Sequence, residues 1–152
     1  MAGDLWYFAF GSNVNTRRMR RIVGRWKDAR RAVLRGYDAG FFSYSKVWGC
    51  GVLDIVEREG ASVPGVAYLI DEDGASQLDK YEGVPLVARR LHVEVEVEGL
   101  GKVNAYTYVM LDRRKFVQPS SAYLDSLLSG LREWGYSDWI EEVLRRARAS
   151  GS

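Results

Sequence analysis

The run Leu5-Trp6-Tyr7-Phe8-Ala9-Phe10 halts at Gly11-Ser12-Asn13 and passes straight into an arginine-rich segment with helical spacing. Six consecutive apolar or aromatic residues without polar alternation predict a strand covered on both faces. Such a strand demands a layer of protein on each side. A chain of 152 residues that is 47% hydrophobic and 28% charged can supply those layers as one domain with one core. We expect that domain to span residues 1–148, with a disordered tail at 149–152.

After the turn, Asn15 or Thr16 can cap a helix whose apolar positions are Met19, Ile22, Val23 and Trp26, and Gly24 marks its end. Arg17, Arg18, Arg20 and Arg21 read first as a solvated helix face. A secondary reading is attraction of an anionic substrate toward the turn. From Ala29 the pattern becomes β-like through Val56; Glu57-Arg58-Glu59-Gly60 reads as a turn and Val63 to Ile70 as a further strand. Asp71 or Asp73 can cap a short helix through Ala75, Leu78 and Glu82, closed by Gly83 and Pro85.

Between Arg89 and Glu98, Leu91, Val93, Val95 and Val97 share one face while His92, Glu94, Glu96 and Glu98 share the other. Gly99-Leu100-Gly101 then turns the chain into Val103 to Leu111, a hairpin. Pro119-Ser120-Ser121 opens a helix carrying Leu124, Leu127, Leu128 and Leu131, and Gly135 breaks it. Ser137 or Asp138 caps a last helix with Trp139, Ile140, Val143, Leu144 and Ala147 inward. The expected class is α+β: about six strands curling into a barrel with helices around it.

The chain holds one histidine and one cysteine. A Ser-His-Asp triad, a Cys-His dyad and a multi-histidine metal site therefore all become poor candidates. Cys50 alone excludes an intramolecular disulfide and fits a reducing compartment. No stretch approaches the roughly 20 apolar residues of a membrane span, and the N-terminus lacks a signal-peptide pattern. A cytoplasmic protein without membrane contact is expected. The net charge of +2 is a small difference between 22 basic and 20 acidic side chains, so a nucleic-acid partner is not expected.

A strand, a glycine-containing turn and a helix start together aim several backbone N–H groups in one direction. Gly11-Ser12-Asn13 can thus hold a carboxylate or an oxyanion, although the same residues also make an ordinary turn. Ser12 lacks the nucleophile elbow, so it is a binder at most. Glu82 has two readings. Helical spacing puts its carboxylate on the apolar face, in the last turn of a helix, where burial and the dipole both raise a carboxyl pKa toward neutrality. Alternatively it sits at a frayed end and reaches solvent. Tyr123, in the first turn of its helix, is either a packing residue or a ligand contact.

Three segments, Tyr7-Phe8-Ala9-Phe10-Gly11-Ser12-Asn13, Leu78-Asp79-Lys80-Tyr81-Glu82-Gly83-Val84 and Pro119-Ser120-Ser121-Ala122-Tyr123, resemble the motifs of the gamma-glutamylcyclotransferase family in order and spacing. The resemblance implies a mixed, partly closed β-barrel with a pocket at its mouth, no metal and no organic cofactor. It implies conversion of a gamma-glutamyl amino acid or gamma-glutamyl amine into 5-oxoproline and a free amine. By position, Glu82 would be the general acid/base, Gly11, Ser12 and Asn13 would hold the substrate, and Phe10 and Tyr123 would line the site. Phe10 departs from the family's usual tyrosine, which leaves room for a binding or regulatory protein of the same fold. The leaving amine, and the choice between monomer and homodimer, stay open at this stage.

Overall fold

The computed structural model describes residues 3–148. The expected tail at 149–152 lies outside the described residues. Strand β1 (Leu5–Ala9) does have protein on every side, because it is paired along both edges. It runs antiparallel to β3 (Cys50–Ile70), from Leu5 opposite Ile70 to Ala9 opposite Val66. On its other edge it meets β5 (Gly101–Met110) in parallel, with Tyr7 opposite Tyr106. Pairing on both edges supplies partners to the backbone of the buried Tyr7, Phe8 and Ala9, and Thr107 Oγ1 also donates to the Phe8 carbonyl at 2.7 Å.

The barrel closes in the order β1-β3-β2-β4-β5, where β2 is Asp28–Ser45 and β4 is Ala88–Val97. It has five strands, not about six, and it is closed. The difference lies in β2 and β3, each of which absorbs segments that read separately in sequence. Glu57-Arg58-Glu59-Gly60 does not end a strand. Tyr37 pairs with Glu57 and Arg35 with Ser62, so the intervening residues form a bulge and the ladder resumes beyond it. Turn-forming residues mark this bulge locally, but only the partner strand decides that the chain continues.

The helices occupy the connections. Helix α1 (Thr16–Val23) begins at Asn15, whose Oδ1 accepts from the N–H groups of Arg17 and Arg18, and ends at Gly24. Helix α2 (Glu72–Glu82) is capped by the Asp71 carboxylate on Gly74 N–H and ends at Gly83, which has φ +80°. Helix α3 (Ser121–Glu133) starts at Ser120, whose Oγ accepts from Tyr123 N–H. Helix α4 (Ser137–Ala147) departs from the expected capping. Tyr136 is its N-cap, with no side-chain cap, and its hydroxyl instead donates to the Gly65 carbonyl at 2.8 Å. Of the residues expected to face inward on α4, Val143 and Ala147 are buried, while Trp139, Ile140 and Leu144 are only partly covered.

The segment after β1 is held from several directions. Tyr68 donates its hydroxyl to the Asn13 carbonyl at 2.8 Å, and Trp134 Nε1–H donates to the Val14 carbonyl at 2.9 Å. Asn15 Nδ2 reaches the Ser126 carbonyl on α3 at 3.0 Å. Gly130 lets α3 come this close, since a Cβ there would lie 2.6 Å from Asn15 N and 2.7 Å from its Cα. Alanine ordinarily favours a helix interior by about 1 kcal/mol over glycine. Here Gly130→Ala should instead destabilise the protein by about 1–3 kcal/mol, because backbone has no room to give. Urea unfolding reads this directly, and an unchanged or higher midpoint would contradict the close approach.

Candidate active site

Beyond Ala9 the chain turns through a short 3-10 segment, Ser12–Val14, whose first bond runs from Val14 N–H to the Gly11 carbonyl at 3.0 Å. The N–H groups of Ser12 and Asn13 therefore open the turn without an intrahelical partner. Gly11 lets the Tyr123 hydroxyl come close, because a Cβ there would stand 3.1 Å from it and press on it. Phe10, Gly11, Ser12 and Asn13 all line a cavity of about 70 Å³ at the rim of the barrel, and Glu82 and Tyr123 line the same cavity. All six residues singled out by sequence thus come together.

Asn13 is buried, and its Nδ2 donates to the Tyr7 hydroxyl at 3.0 Å and to Glu82 Oε1 at 3.4 Å. Its Oδ1 is buried with no hydrogen-bond partner. Glu82 occupies the last residue of α2, so the spacing that aligns it with Ala75 and Leu78 carries it inward toward β1. The residue keeps an opening to the cavity, but protein surrounds its carboxylate. Burial pushes its pKa up to about 7 from an ordinary 4.5; Arg18 and the Asn13 amide pull it down, and Asp54 pushes it further up. The solvent-reaching alternative for this residue is not what the fold builds.

Tyr123 is 2% exposed, and its hydroxyl accepts the Leu53 N–H at 3.0 Å. Trp48 stands edge-on to its ring at 5.2 Å, and Phe41 does so at 6.4 Å. Burial raises the phenol well above its usual pKa, so it serves as a neutral hydroxyl. Ser45 at the end of β2, with Val47 and Trp48 in the turn that follows, forms part of the cavity wall. Tyr44 lies outside that wall, with Arg114 over its ring. Arg113, after β5, supports the cavity from behind by pairing with Asp54 at 3.3 Å.

Several site residues escaped sequence reasoning. Asp54 is fully buried in the cavity wall, where Oδ2 accepts from Ser43 Oγ at 2.6 Å and Met110 N–H at 3.0 Å. Burial raises its pKa, opposed by those hydrogen bonds and by Arg113. Tyr108 lines the cavity and donates to Asp79 Oδ1 at 2.5 Å, while Arg90 pairs with Asp79 at 2.8 Å. Within its own strand Asp54 is one polar residue among apolar ones, and that interruption was the available signal. Arg18 was grouped with a solvated face, yet its guanidinium lies 4.3 Å from the centre of the Trp48 ring and 5.0 Å from that of Tyr81. His92 is exposed on β4, as alternation predicted, and Cys50 is a buried small residue.

The fold and site define a class: a small closed barrel with a buried carboxylate of raised pKa beside a glycine turn, both lining one pocket. Residues 7–127 match the family described as gamma-glutamyl cyclotransferase, AIG2-like, and the chain belongs to that family. A mouse gamma-glutamylcyclotransferase is 27% identical over 150 residues, which cover 91% of this chain and 76% of the mouse protein. A solved gamma-glutamyl cyclotransferase superposes with a TM-score of 0.82 at 23% identity, covering 92% of this chain and 88% of that one. YkqA from Bacillus subtilis superposes at 0.84 with 27% identity, covering 96% of this chain but 55% of that one.

The environment of Glu82 has a thermodynamic signature. Its folded pKa is raised, so between pH 4.5 and about 7 the folded state binds more protons than the unfolded state and stability falls as pH rises. Above that window the carboxylate costs up to about 3 kcal/mol, which Glu82→Gln removes. The variant should therefore be more stable than the parent at pH 8, with the gap shrinking toward pH 4.5. Denaturant titrations at pH 5 and pH 8 decide the matter, and a pH-independent gap would refute the raised pKa.

Proposed function

We propose that this protein is a cyclotransferase, converting a gamma-glutamyl amino acid or gamma-glutamyl amine into 5-oxoproline and the free amine. The observation that carries this reading is the Glu82 carboxylate, its pKa raised to about 7, in a pocket that the Gly11-Ser12-Asn13 turn also lines. The substrate supplies its own nucleophile. Its α-amine must lose a proton and meet its own γ-carbonyl, and holding it folded in that geometry contributes roughly 7–11 kcal/mol in the best intramolecular cases.

In this reading Glu82 takes a proton from the α-amine as its nitrogen bonds to the γ-carbon. The tetrahedral centre then collapses, the bond to the leaving nitrogen breaks, and Glu82 returns the proton to that nitrogen. In this reading Asn13 Oδ1, unpartnered within the protein, accepts from the attacking amine. The turn's N–H groups offer donors to the α-carboxylate or to the developing oxyanion. Phe10 and Tyr123 shape the pocket, with the Tyr123 hydroxyl standing beside Gly11. Family membership and the mouse relative's name support the same chemistry.

Incubation with gamma-glutamyl amino acids, gamma-glutamyl amines and glutathione, followed by mass spectrometry of 5-oxoproline, tests the proposal; no product from any of them with folded protein would sink it. Glu82→Gln should lower kcat about 10²–10⁴-fold with the fold intact. In the parent protein, log kcat/KM should rise toward a plateau through pH about 7, following deprotonation of Glu82. A flat acidic limb would remove Glu82 from the base role.

A further inference from the structure

The cavity holds a second carboxylate besides that of Glu82. Asp54, on β3, lines it too, and among the described residues no lysine, arginine or histidine does. Asp54 is fully buried, so bulk water does little to weaken its field. Its Oδ1 accepts from Ile55 N–H at 2.8 Å, and its Oδ2 accepts from Ser43 Oγ at 2.6 Å, Met110 N–H at 3.0 Å and the Arg113 guanidinium at 3.3 Å. Three of these four partners can only donate. They suit a carboxylate rather than a carboxylic acid, and they oppose the upward push of burial on the pKa.

Arg113 fixes that charge from the solvent side. Its side chain is 36% exposed, against 0% for Asp54. It also donates to the Ile55 carbonyl at 2.5 Å and lies over the Phe42 ring. The pair is therefore asymmetric: water screens its positive end, while its negative end belongs to the cavity wall. Glu82 feels charges of both signs. Burial does most to raise its pKa, Arg18 on α1 favours the ionised form, and Asp54 disfavours it. The phenols of Tyr7 on β1, Tyr106 on β5 and Tyr123 on α3 act on it as neutral groups, each raised above its usual pKa by burial. On α2 itself, Asp79 is tied to Arg90 and Tyr108.

We propose that Asp54 is a positioning residue for the reaction, a fixed negative charge that acts on Glu82 through the cavity wall and strengthens its hold on the proton taken from the substrate. The proposal rests on the reading of Glu82 as the general base. A like charge nearby makes an ionised carboxylate costlier, so Glu82 is the stronger base when the amine must give up its proton. That proton moves from the attacking nitrogen to Glu82 and on to the leaving nitrogen, and Asp54 keeps none of it. Arg113 has a part in this, because it holds Asp54 ionised and so prevents two neighbouring carboxylates from sharing the proton.

The test follows the titration of Glu82 by carboxyl-carbon NMR, with Glu82→Gln identifying the resonance. Asp54→Asn should move the midpoint to lower pH, and Arg18→Gln should move it to higher pH. Opposite signs separate charge from packing, since a loosened wall admits water and lowers the midpoint in both variants. Asp54→Asn leaves Arg113 unpaired; adding Arg113→Gln removes both charges, and the midpoint should still fall, by less. Release of 5-oxoproline from gamma-glutamyl-alanine is then measured across the acidic limb. At pH 6, kcat/KM relative to its plateau should be about two- to threefold higher in Asp54→Asn than in the parent. A midpoint unmoved or raised in Asp54→Asn, or lowered in Arg18→Gln, would overturn the role of Asp54. A lowered midpoint without any 5-oxoproline from either protein would leave the action of Asp54 on Glu82 standing and sink the cyclotransferase reading. Product formed with an unmoved midpoint would do the reverse.

Discussion

Asn13 sits where β1, its turn and α2 meet, and the Nδ2 of its buried side chain joins the Tyr7 hydroxyl to Glu82 Oε1. That amide sets the distance between the turn and the carboxylate. It also leaves Glu82 with a single neutral donor where two or three would hold it firmly ionised. Burial therefore prevails over hydrogen bonding, and the carboxyl titrates close to neutrality. Because Tyr68 and α3 anchor the turn from below, the amide has a rigid base from which to reach α2.

The same pocket depends on close backbone approaches that larger residues would forbid. A Cβ at Gly51 would fall 1.9 Å from the Val117 carbonyl oxygen, and one at Gly65 would fall 2.2 Å from that of Ala9. The first lets the segment after β5 lie against the β2–β3 hairpin, where Gly51 N–H donates to the Gln118 carbonyl at 2.9 Å. Arg113, carried on that segment, reaches the buried Asp54. A second carboxylate is thus kept beside the cavity with its charge compensated, at a site where an unpaired charge would be strongly disfavoured.

Cations at this site act in two different ways. Arg113 is tied to Asp54 and to the Ile55 carbonyl, so its charge is spent within the wall. Arg18 stands between two aromatic rings, close enough to lower the Glu82 pKa yet not close enough to pair with it. One arginine stabilises the container. The other packs against two of the aromatic rings that line it.

Local chemistry was legible in the sequence wherever neighbours in the chain decide it. The caps Asn15, Asp71 and Ser120, the αL glycine at the end of α2 and the alternation of β4 follow from short-range spacing, which for Glu82 left the inward and the solvent-reaching positions both open. The grouping of Phe10, Gly11, Ser12, Asn13, Glu82 and Tyr123 rested on a family resemblance, since no periodicity relates residues that far apart. Tertiary structure alone decided that β2 and β3 run through a bulge where the sequence suggests a turn. It also buried Asp54 and Arg18 Nε in the same neighbourhood, and it set the Glu82 pKa. Those outcomes depend on strand partners and desolvation supplied by distant segments, and a charge or a turn residue carries no mark of them until the barrel closes around it.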